Sequence, residues 1–155
     1  KKDSYFSQIE RINTANYKRD KNLFVKLEMC SELIDCDKAI KLNNILFDVA
    51  KYDIKDAAKP ELNKLIQFMK DNPTVKVELS SHTDSRATTE YNQTLSQQRA
   101  DASVDYIVSK GIARDRLTGK GYGESKLLNG CADGVTCTEA QHAINRRTEM
   151  KVLCK

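Results

Sequence analysis

The order of hydrophobic patterns after residue 40 constrains the fold of this chain more than any other feature. Residues 40–47 are largely apolar, as in a buried strand. Residues 56–60 carry helix-start chemistry with a proline, residues 62–69 place apolar side chains at helical spacing, and Asn72-Pro73 ends that helix. Residues 75–79 then alternate apolar and polar side chains, which predicts a half-buried strand.

The same alternation continues in the second half of the chain. A polar loop over residues 82–89 leads into a helix with apolar positions between residues 95 and 108. Residues 117–122 and 148–153 predict two further strands, and the polar stretch over residues 123–144 predicts a long loop between them. Strands that alternate with helices imply an α/β sandwich with crossover connections.

Residues 1–39 differ from the rest and predict a separate unit. Two short apolar runs surround a polar turn at residues 16–22, which indicates two strands. Two strands alone are marginally stable, so we expect a β-rich lead-in or the tail of a preceding domain, followed by the main domain over residues 40–155. The chain begins Lys1-Lys2 without Met or a signal-peptide pattern, and we expect a mature piece of a longer protein.

Charge and composition exclude several partners. Lys and Arg total 26 against 22 Asp and Glu among 155 residues, and the resulting charge of +4 is scattered rather than clustered. With no Trp and 6% aromatic residues, the chain does not favour a nucleic-acid platform. No stretch approaches the roughly 20 apolar residues that cross a bilayer, so we expect no membrane insertion by this fragment.

The cysteines leave three alternatives for the loop that follows residue 130. Cys131 and Cys137 flank a polar, glycine-containing segment, and the partners are either disulfide-bonded, free or metal-bound. Zinc sites use closer cysteine spacings, and neither His82 nor His142 has a ligand-like spacing to a cysteine pair. A disulfide is favoured, which in turn favours an oxidising compartment such as the periplasm. The pairing of Cys30, Cys36 and Cys154 is left open.

No catalytic set, metal site or cofactor site is predicted. The run Ser80-Ser81-His82-Thr83-Asp84 puts Ser, His and Asp side by side. A hydrolytic triad is a spatial arrangement, however, and adjacent residues on a strand point to opposite faces, so no triad is predicted. His82 is more simply explained as a loop histidine satisfied by hydrogen bonds than as a metal ligand. The glycine-rich run at residues 119–123 leads into a loop rather than opening a helix, so it does not predict a phosphate cradle.

One pair of charges lies where α/β proteins bind ligands. Asp84 directly follows a predicted strand, and Arg99 lies on the helix that comes after this strand and its loop. Asn92 stands seven residues before Arg99, which places both on one stripe of that helix. Asp84 and Arg99 either form a plain surface ion pair at a solvated mouth or bind a zwitterion, the carboxylate holding an ammonium and the guanidinium a carboxylate.

Residues 40–153 resemble the OmpA-like peptidoglycan-binding domains, envelope proteins that hold the outer membrane to the cell wall. The matching motifs appear in the family's order over about 110 residues: Ile45-Leu46-Phe47-Asp48, His82-Thr83-Asp84, Tyr91-Asn92, Leu95-Ser96-Gln97-Gln98-Arg99-Ala100, Gly121-Tyr122-Gly123-Glu124 and Asn145-Arg146-Arg147. The Cys131/Cys137 loop resembles versions of the family from Bacteroidetes-like bacteria. The resemblance implies a two-layer sandwich, a mixed sheet with helices on one face.

The resemblance also implies the function and its residues. It implies a non-enzymatic domain in the periplasm that grips the diaminopimelate residue of the peptidoglycan stem peptide, with outer-membrane or secretion-machinery proteins as further partners of the full-length chain. Asp84 and Arg99 fall on the residues that hold the amino-acid end of that side chain. Asn92 and Arg146 also fall on the family's site, and the matching motifs add Asp48, Thr83 and Leu95 to the expected binding set. A cell-wall hydrolase is the alternative from another class.

Three positions depart from the family pattern. Ser81 replaces a glycine before His82, and Ala87 stands where a glycine commonly follows the aspartate. If the backbone at Ala87 needs a positive φ, alanine costs about 1 kcal/mol there. Ala50 occupies a position that often carries Asn or Asp facing the ligand, so one peripheral contact is expected to be missing.

Overall fold

The computed structural model describes residues 39–42, 45, 47 and 50–153. The elements of these residues are β1 (Ala39–Leu42), α1 (Lys59–Asp71), β2 (Lys76–His82), α2 (Thr89–Ser109), β3 (Leu117–Gly121), α3 (Glu139–Asn145) and β4 (Arg147–Leu153). The predictions for residues 1–38, for Asp48 and for Cys30, Cys36 and Cys154 lie outside the described residues. Within them, no helix combines the length and the apolar character needed to cross a bilayer.

The four described strands form one mixed sheet in the order β1-β4-β2-β3. β4 pairs antiparallel with β1 and β2, whereas β2 and β3 are parallel. The parallel pair requires a crossover, and α2 provides it, with the Thr88 side chain accepting a hydrogen bond from the Tyr91 backbone to cap the helix. The predicted mixed sheet with crossover connections is therefore confirmed.

The two faces of the sheet differ in polarity, which explains the two-layer architecture. Cross-strand partners point to the same side, so the pairs Val77–Val152 and Leu79–Met150 share one apolar, buried face. The opposite face is charged and carries Glu78 paired with Lys151. Helix α2 packs on β2 and β3, and α1, which buries Leu62, Leu65, Ile66, Phe68 and Met69, contacts α2. Burial of these side chains drives the two layers together.

Two predicted boundaries are wrong. The first strand ends at Leu42, and Ile45 and Phe47 lie outside any strand although Ile45 is buried. His82 belongs to β2 rather than to the following loop. Ile45 and Phe47 are apolar without being paired in a strand, and polar His82 is paired with Arg147 of β4, so the partner strand and not the local pattern decides where pairing stops.

The predicted loop over residues 123–144 contains a helix that the sequence analysis missed. Helix α3 begins after Thr138, whose side chain accepts from the Gln141 backbone while the Gln141 side chain accepts from the Thr138 backbone. This capping box is readable as Thr-x-x-Gln in the sequence. The helix was missed because it has seven residues, and Ile144, its large apolar side chain, is exposed.

Candidate functional site

A cleft of about 690 Å³ opens where β2 ends and α2 begins. Its described lining residues are Phe47, Ala50, Thr83, Asp84, Arg86, Ala87, Tyr91, Asn92, Leu95, Arg99, Glu139 and Arg146. The fold therefore brings together six of the seven predicted binding residues. The seventh, Asp48, lies outside the described residues. The carboxyl end of a strand that feeds a crossover helix is the usual ligand position in α/β sheets.

Asn92 fixes the loop that carries Asp84. The Asn92 side chain is 3% exposed, and its Nδ2 donates to the backbone oxygens of Asp84 (3.0 Å) and Ala87 (3.2 Å) and to the carboxylate of Glu124. These contacts use the amide hydrogens of Asn92 within the protein. Asn92 therefore shapes the cleft by positioning Asp84.

Asp84 is held in a cluster of four charged residues, which we call the ion cluster. Arg86 donates to Asp84 Oδ2 through Nε (3.1 Å) and Nη2 (2.7 Å), and Arg146 Nη1 donates to the same oxygen at 2.6 Å. Glu139 closes the cluster, accepting from Arg86 Nη1 at 2.7 Å and from Arg146 Nη2. Two carboxylates thus face two guanidiniums at one side of the cleft.

The ion cluster keeps Asp84 ionised over nearly the whole pH range. Burial alone would raise the pKa of Asp84, but the hydrogen bonds from Arg86 and Arg146 outweigh burial and lower the pKa from 3.8 to about 2. Asp84 is 7% exposed, and a carboxylate that stays ionised above about pH 2 provides a strong acceptor for a cation.

Arg99 is buried against the other wall of the cleft. Arg99 is 6% exposed. Its guanidinium lies 5.0 Å from the centre of the Phe47 ring, and its Nε donates to the Lys51 carbonyl at 2.9 Å. Burial lowers the pKa of Arg99, but an arginine keeps its proton in proteins. Asp84 and Arg99 are thus each less than one-tenth exposed, although both line the open cleft.

The backbone beside Arg99 is strained, and the backbone beside Asp84 is not. Among the described non-glycine residues, Ala50 alone has a positive φ, 56°. Left-handed backbone costs an alanine about 1 kcal/mol, whereas asparagine adopts it more readily. Ala87 does not have a positive φ, so its replacement of the family's glycine carries no such cost.

Thr83 and Leu95 complete the floor of the cleft. Thr83 is 4% exposed, and its hydroxyl has no hydrogen-bond partner among the described residues. Leu95 is 9% exposed and presents an apolar surface beside it. A buried hydroxyl without a partner is rare in proteins, and here it lines a cleft that a polar ligand can enter.

Arg86 and Glu139 are cleft residues that the sequence analysis missed. They are 53 residues apart in the chain, and no local pattern links them. Glu139 lies two residues after Cys137, so its nearness to the cysteine pair is the sequence feature that could have pointed to it. Cys131 and Cys137 form the favoured disulfide, and the Cys131 carbonyl accepts from the Ser85 hydroxyl at 2.6 Å. The disulfide loop is therefore attached next to Asp84.

The geometry around Ser81 and His82 agrees with the exclusion of a hydrolytic triad. Ser81 pairs with Thr148 on the face that the helices cover, and His82 pairs with Arg147 on the opposite face. The His82 ring stacks on Tyr122 with 5.2 Å between ring centres. Among the described residues, no group of three or more His, Cys, Asp or Glu side chains could hold a metal ion.

His82 is buried rather than satisfied in a loop, which corrects the sequence interpretation. It is 2% exposed, and neither ring nitrogen makes a well-oriented hydrogen bond among the described residues, although Nε2 lies 3.4 Å from a Glu149 carboxylate oxygen. Burial and the nearby Arg147 charge lower the pKa of His82 from 6.5 to about 4, against the opposing effect of Glu149.

We expect the low pKa of His82 to make the folded protein less stable in mild acid. Below pH 6.5 the unfolded chain binds a proton at this histidine while the folded protein does not, so stability falls until the pH reaches about 4. Between pH 7 and pH 5 the loss is about 1–2 kcal/mol after allowance for solvent screening. Urea unfolding of wild type and His82→Phe, which keeps an aromatic ring against Tyr122, checks this. An equally steep pH dependence in the variant contradicts the assignment.

Comparison with known proteins identifies relatives of the domain that contains the cleft. The profile of the OmpA family matches residues 46–139, more than half of the chain. Over 109 residues the chain is 40% identical to outer membrane porin F of Pseudomonas fluorescens, an alignment that covers 70% of this chain and 32% of the relative. The chain thus spans about a third of the length of that curated relative.

Two solved structures share the fold. The peptidoglycan-associated lipoprotein from Burkholderia pseudomallei superimposes with a TM-score of 0.61 at 25% identity, covering 74% of this chain and 89% of that chain. The cell wall anchor of the T6SS from Pseudomonas aeruginosa superimposes with a TM-score of 0.60 at 26% identity, covering 76% and 80%.

Proposed function

Because this chain belongs to the OmpA family, we propose that residues 40–155 bind peptidoglycan non-covalently and anchor an envelope assembly to the cell wall. Two of its structural relatives are a peptidoglycan-associated lipoprotein and a cell wall anchor, which supports this function. Such a domain functions in the periplasm, where the Cys131–Cys137 disulfide is stable. Membrane or secretion proteins are the partners proposed for the full-length chain.

The chemistry of the cleft suggests which part of peptidoglycan it binds. The observation that carries the proposal is that a buried, ionised Asp84 and a buried Arg99 line one cleft. This arrangement suits a group that carries an ammonium and a carboxylate on one carbon. The free end of diaminopimelate in the stem peptide is such a group. Asp84 accepts from its ammonium and Arg99 donates two parallel hydrogen bonds to its carboxylate.

The remaining cleft residues fit the rest of that ligand. The Thr83 hydroxyl is positioned to hydrogen-bond the polar end, and Leu95 contacts the methylene chain of the diaminopimelate side chain. Arg146 lines the same cleft and holds the Asp84 carboxylate in place. Asp48 keeps its predicted contact as part of this proposal.

Incubation with purified sacculi tests the function. We expect the protein to co-sediment with sacculi and to release no soluble muropeptides. Release of muropeptides would support the alternative, a cell-wall hydrolase, whereas protein that stays in the supernatant would contradict wall binding. An outer-surface point variant such as Arg114→Ala serves as a matched control, since Arg114 pairs with Asp105 and does not line the cleft.

We expect the cleft to distinguish diaminopimelate walls from lysine walls. Lysine lacks the distal carboxylate, so Arg99 loses its bidentate partner and affinity falls by about 10- to 100-fold. Sedimentation with sacculi of the two wall types, or with walls whose diaminopimelate is amidated, measures the difference. Equal retention on all of these walls would show that Arg99 does not bind that carboxylate.

A further inference from the structure

Arg86 already donates hydrogen bonds to the Asp84 carboxylate, which the proposed function assigns to the ligand's ammonium. Asp84 Oδ2 accepts from Arg86 Nε at 3.1 Å, from Arg86 Nη2 at 2.7 Å and from Arg146 Nη1 at 2.6 Å. Asp84 Oδ1 accepts from the Arg86 backbone nitrogen at 3.3 Å. Each carboxylate oxygen has about two acceptor positions, so the three hydrogen bonds to Oδ2 fill that oxygen, whereas Oδ1 accepts one. An ammonium that binds at Oδ2 must therefore displace a donor.

Arg86 is the more exposed of the two side-chain donors, so water can solvate its guanidinium once it leaves Asp84. Its side chain is 51% exposed, whereas the Arg146 side chain is 30% exposed and is also held by its position between α3 and β4. Arg86 also retains a partner after leaving Asp84, because its Nη1 already lies 2.7 Å from Glu139 Oε2. Glu139 itself is 66% exposed and has room for a fuller contact.

We propose that Arg86 competes with the ligand's ammonium for Asp84, and that Glu139 receives Arg86 when the ammonium binds. This inference rests on the proposed function. The exchange makes a lone ammonium a weak ligand, because one guanidinium–carboxylate pair is lost for each ammonium–carboxylate pair gained. The ligand's carboxylate, bound by Arg99, then supplies most of the net affinity. The pKa of Asp84 supports the strength of this competition, since the Arg86 hydrogen bond is the largest influence that lowers it.

Three variants test the competition, because we expect one to strengthen peptide binding, one to weaken it and one to leave it unchanged. Arg86→Ala removes the competitor, and we expect roughly 3- to 10-fold tighter binding of a soluble stem tetrapeptide that contains diaminopimelate. Glu139→Gln removes the alternative partner of both arginines and a negative charge near the ammonium, and we expect weaker binding. Arg114→Ala is the matched control, because its pair with Asp105 at 2.7 Å lies away from the cleft, and we expect no change. Titration calorimetry measures all three.

A second peptide separates competition from direct contact. If Arg86 only competes for Asp84, Arg86→Ala strengthens binding of a lysine-containing tetrapeptide by the same factor as binding of the diaminopimelate peptide. Weaker binding by Arg86→Ala, confined to the diaminopimelate peptide, would show that Arg86 contacts the ligand's carboxylate and would overturn the competition. Unchanged affinity for both peptides would overturn it as well.

Spectroscopy and sedimentation complete the test. Carbon-13 NMR of the Asp84 carboxyl group should show its pKa rise above about 2 in Arg86→Ala, because Arg86 donates to this carboxylate. An unchanged pKa would contradict the contact on which the competition rests. If wild type binds sacculi but Arg86→Ala binds the peptide no more tightly, the competition fails and the proposed function stands. If wild type binds neither sacculi nor peptide, the proposed function fails, and the competition fails with it.

Discussion

Arg99→Ala should nearly abolish binding of diaminopimelate peptidoglycan, and Asp84→Asn should weaken it by less, because Asp84 already pairs with Arg86 and Arg146 before the ligand binds. Asp84 and Arg99 are both more than nine-tenths buried, so truncation leaves the ligand's opposite charge buried without a partner. Removing one member of such a pair costs roughly 2–5 kcal/mol, which corresponds to about 30-fold to several-thousand-fold in affinity. Peptide calorimetry and sacculus sedimentation measure the loss.

Matched variants separate this loss of binding from loss of folding. Asp105→Asn makes the same change in an exposed pair with Arg114 and should leave binding unchanged. Arg99→Lys should recover part of the affinity, since an ammonium keeps the charge but not the two parallel hydrogen bonds. A thermal melt of each variant accompanies the binding data. Wild-type affinity in a folded Asp84→Asn protein would show that the ion cluster is only a structural salt bridge.

Gly121→Ala should be the most destabilising of the glycine-to-alanine changes at the described residues. Gly121 lies on β3 where α2 crosses it, and a Cβ there would lie 2.3 Å from the Gln97 backbone nitrogen and 2.6 Å from the Ser96 Oγ. The backbone of α2 would have to move away from the sheet, which would also weaken the hydrogen bond from the Gly121 backbone nitrogen to Gln97 Oε1, 2.8 Å long. We expect a loss of about 3 kcal/mol in the free energy of unfolding.

Gly130→Ala is the control for this substitution. A Cβ at Gly130 would meet nothing within 4 Å, and its φ is not positive, so the same change should alter stability by less than about 0.5 kcal/mol. Urea unfolding of both variants gives the comparison. Equal stability of the two variants would mean that α2 and β3 do not pack as closely as the structure shows.

Local sequence patterns predict best the helices and strands whose buried side chains recur at regular spacing along the chain. Helix α1 follows its apolar spacing from residue 62 to residue 69 and ends at Asn72, as predicted. The Cys131–Cys137 disulfide was likewise readable from spacing and loop composition. Helix α3 was not predicted, because a capping box without an apolar stripe is a weak local signal. Local periodicity detects burial, and α3 has little of it.

Hydrophobic period and residue order predict the fold class, and the resemblance to the family implies six of the twelve described residues that line the cleft. The charge partners depend on the tertiary structure. Arg146 faces the cleft and Arg147, its neighbour, turns to Glu149 on the other side of the sheet. Asp84 lines the cleft together with Arg99, and Arg86 and Arg146 hold its carboxylate, with Glu139 as the fourth member of the ion cluster. Such contacts join residues that are distant in the chain, and only the packing of strands, helices and loops sets which charges come within hydrogen-bond distance.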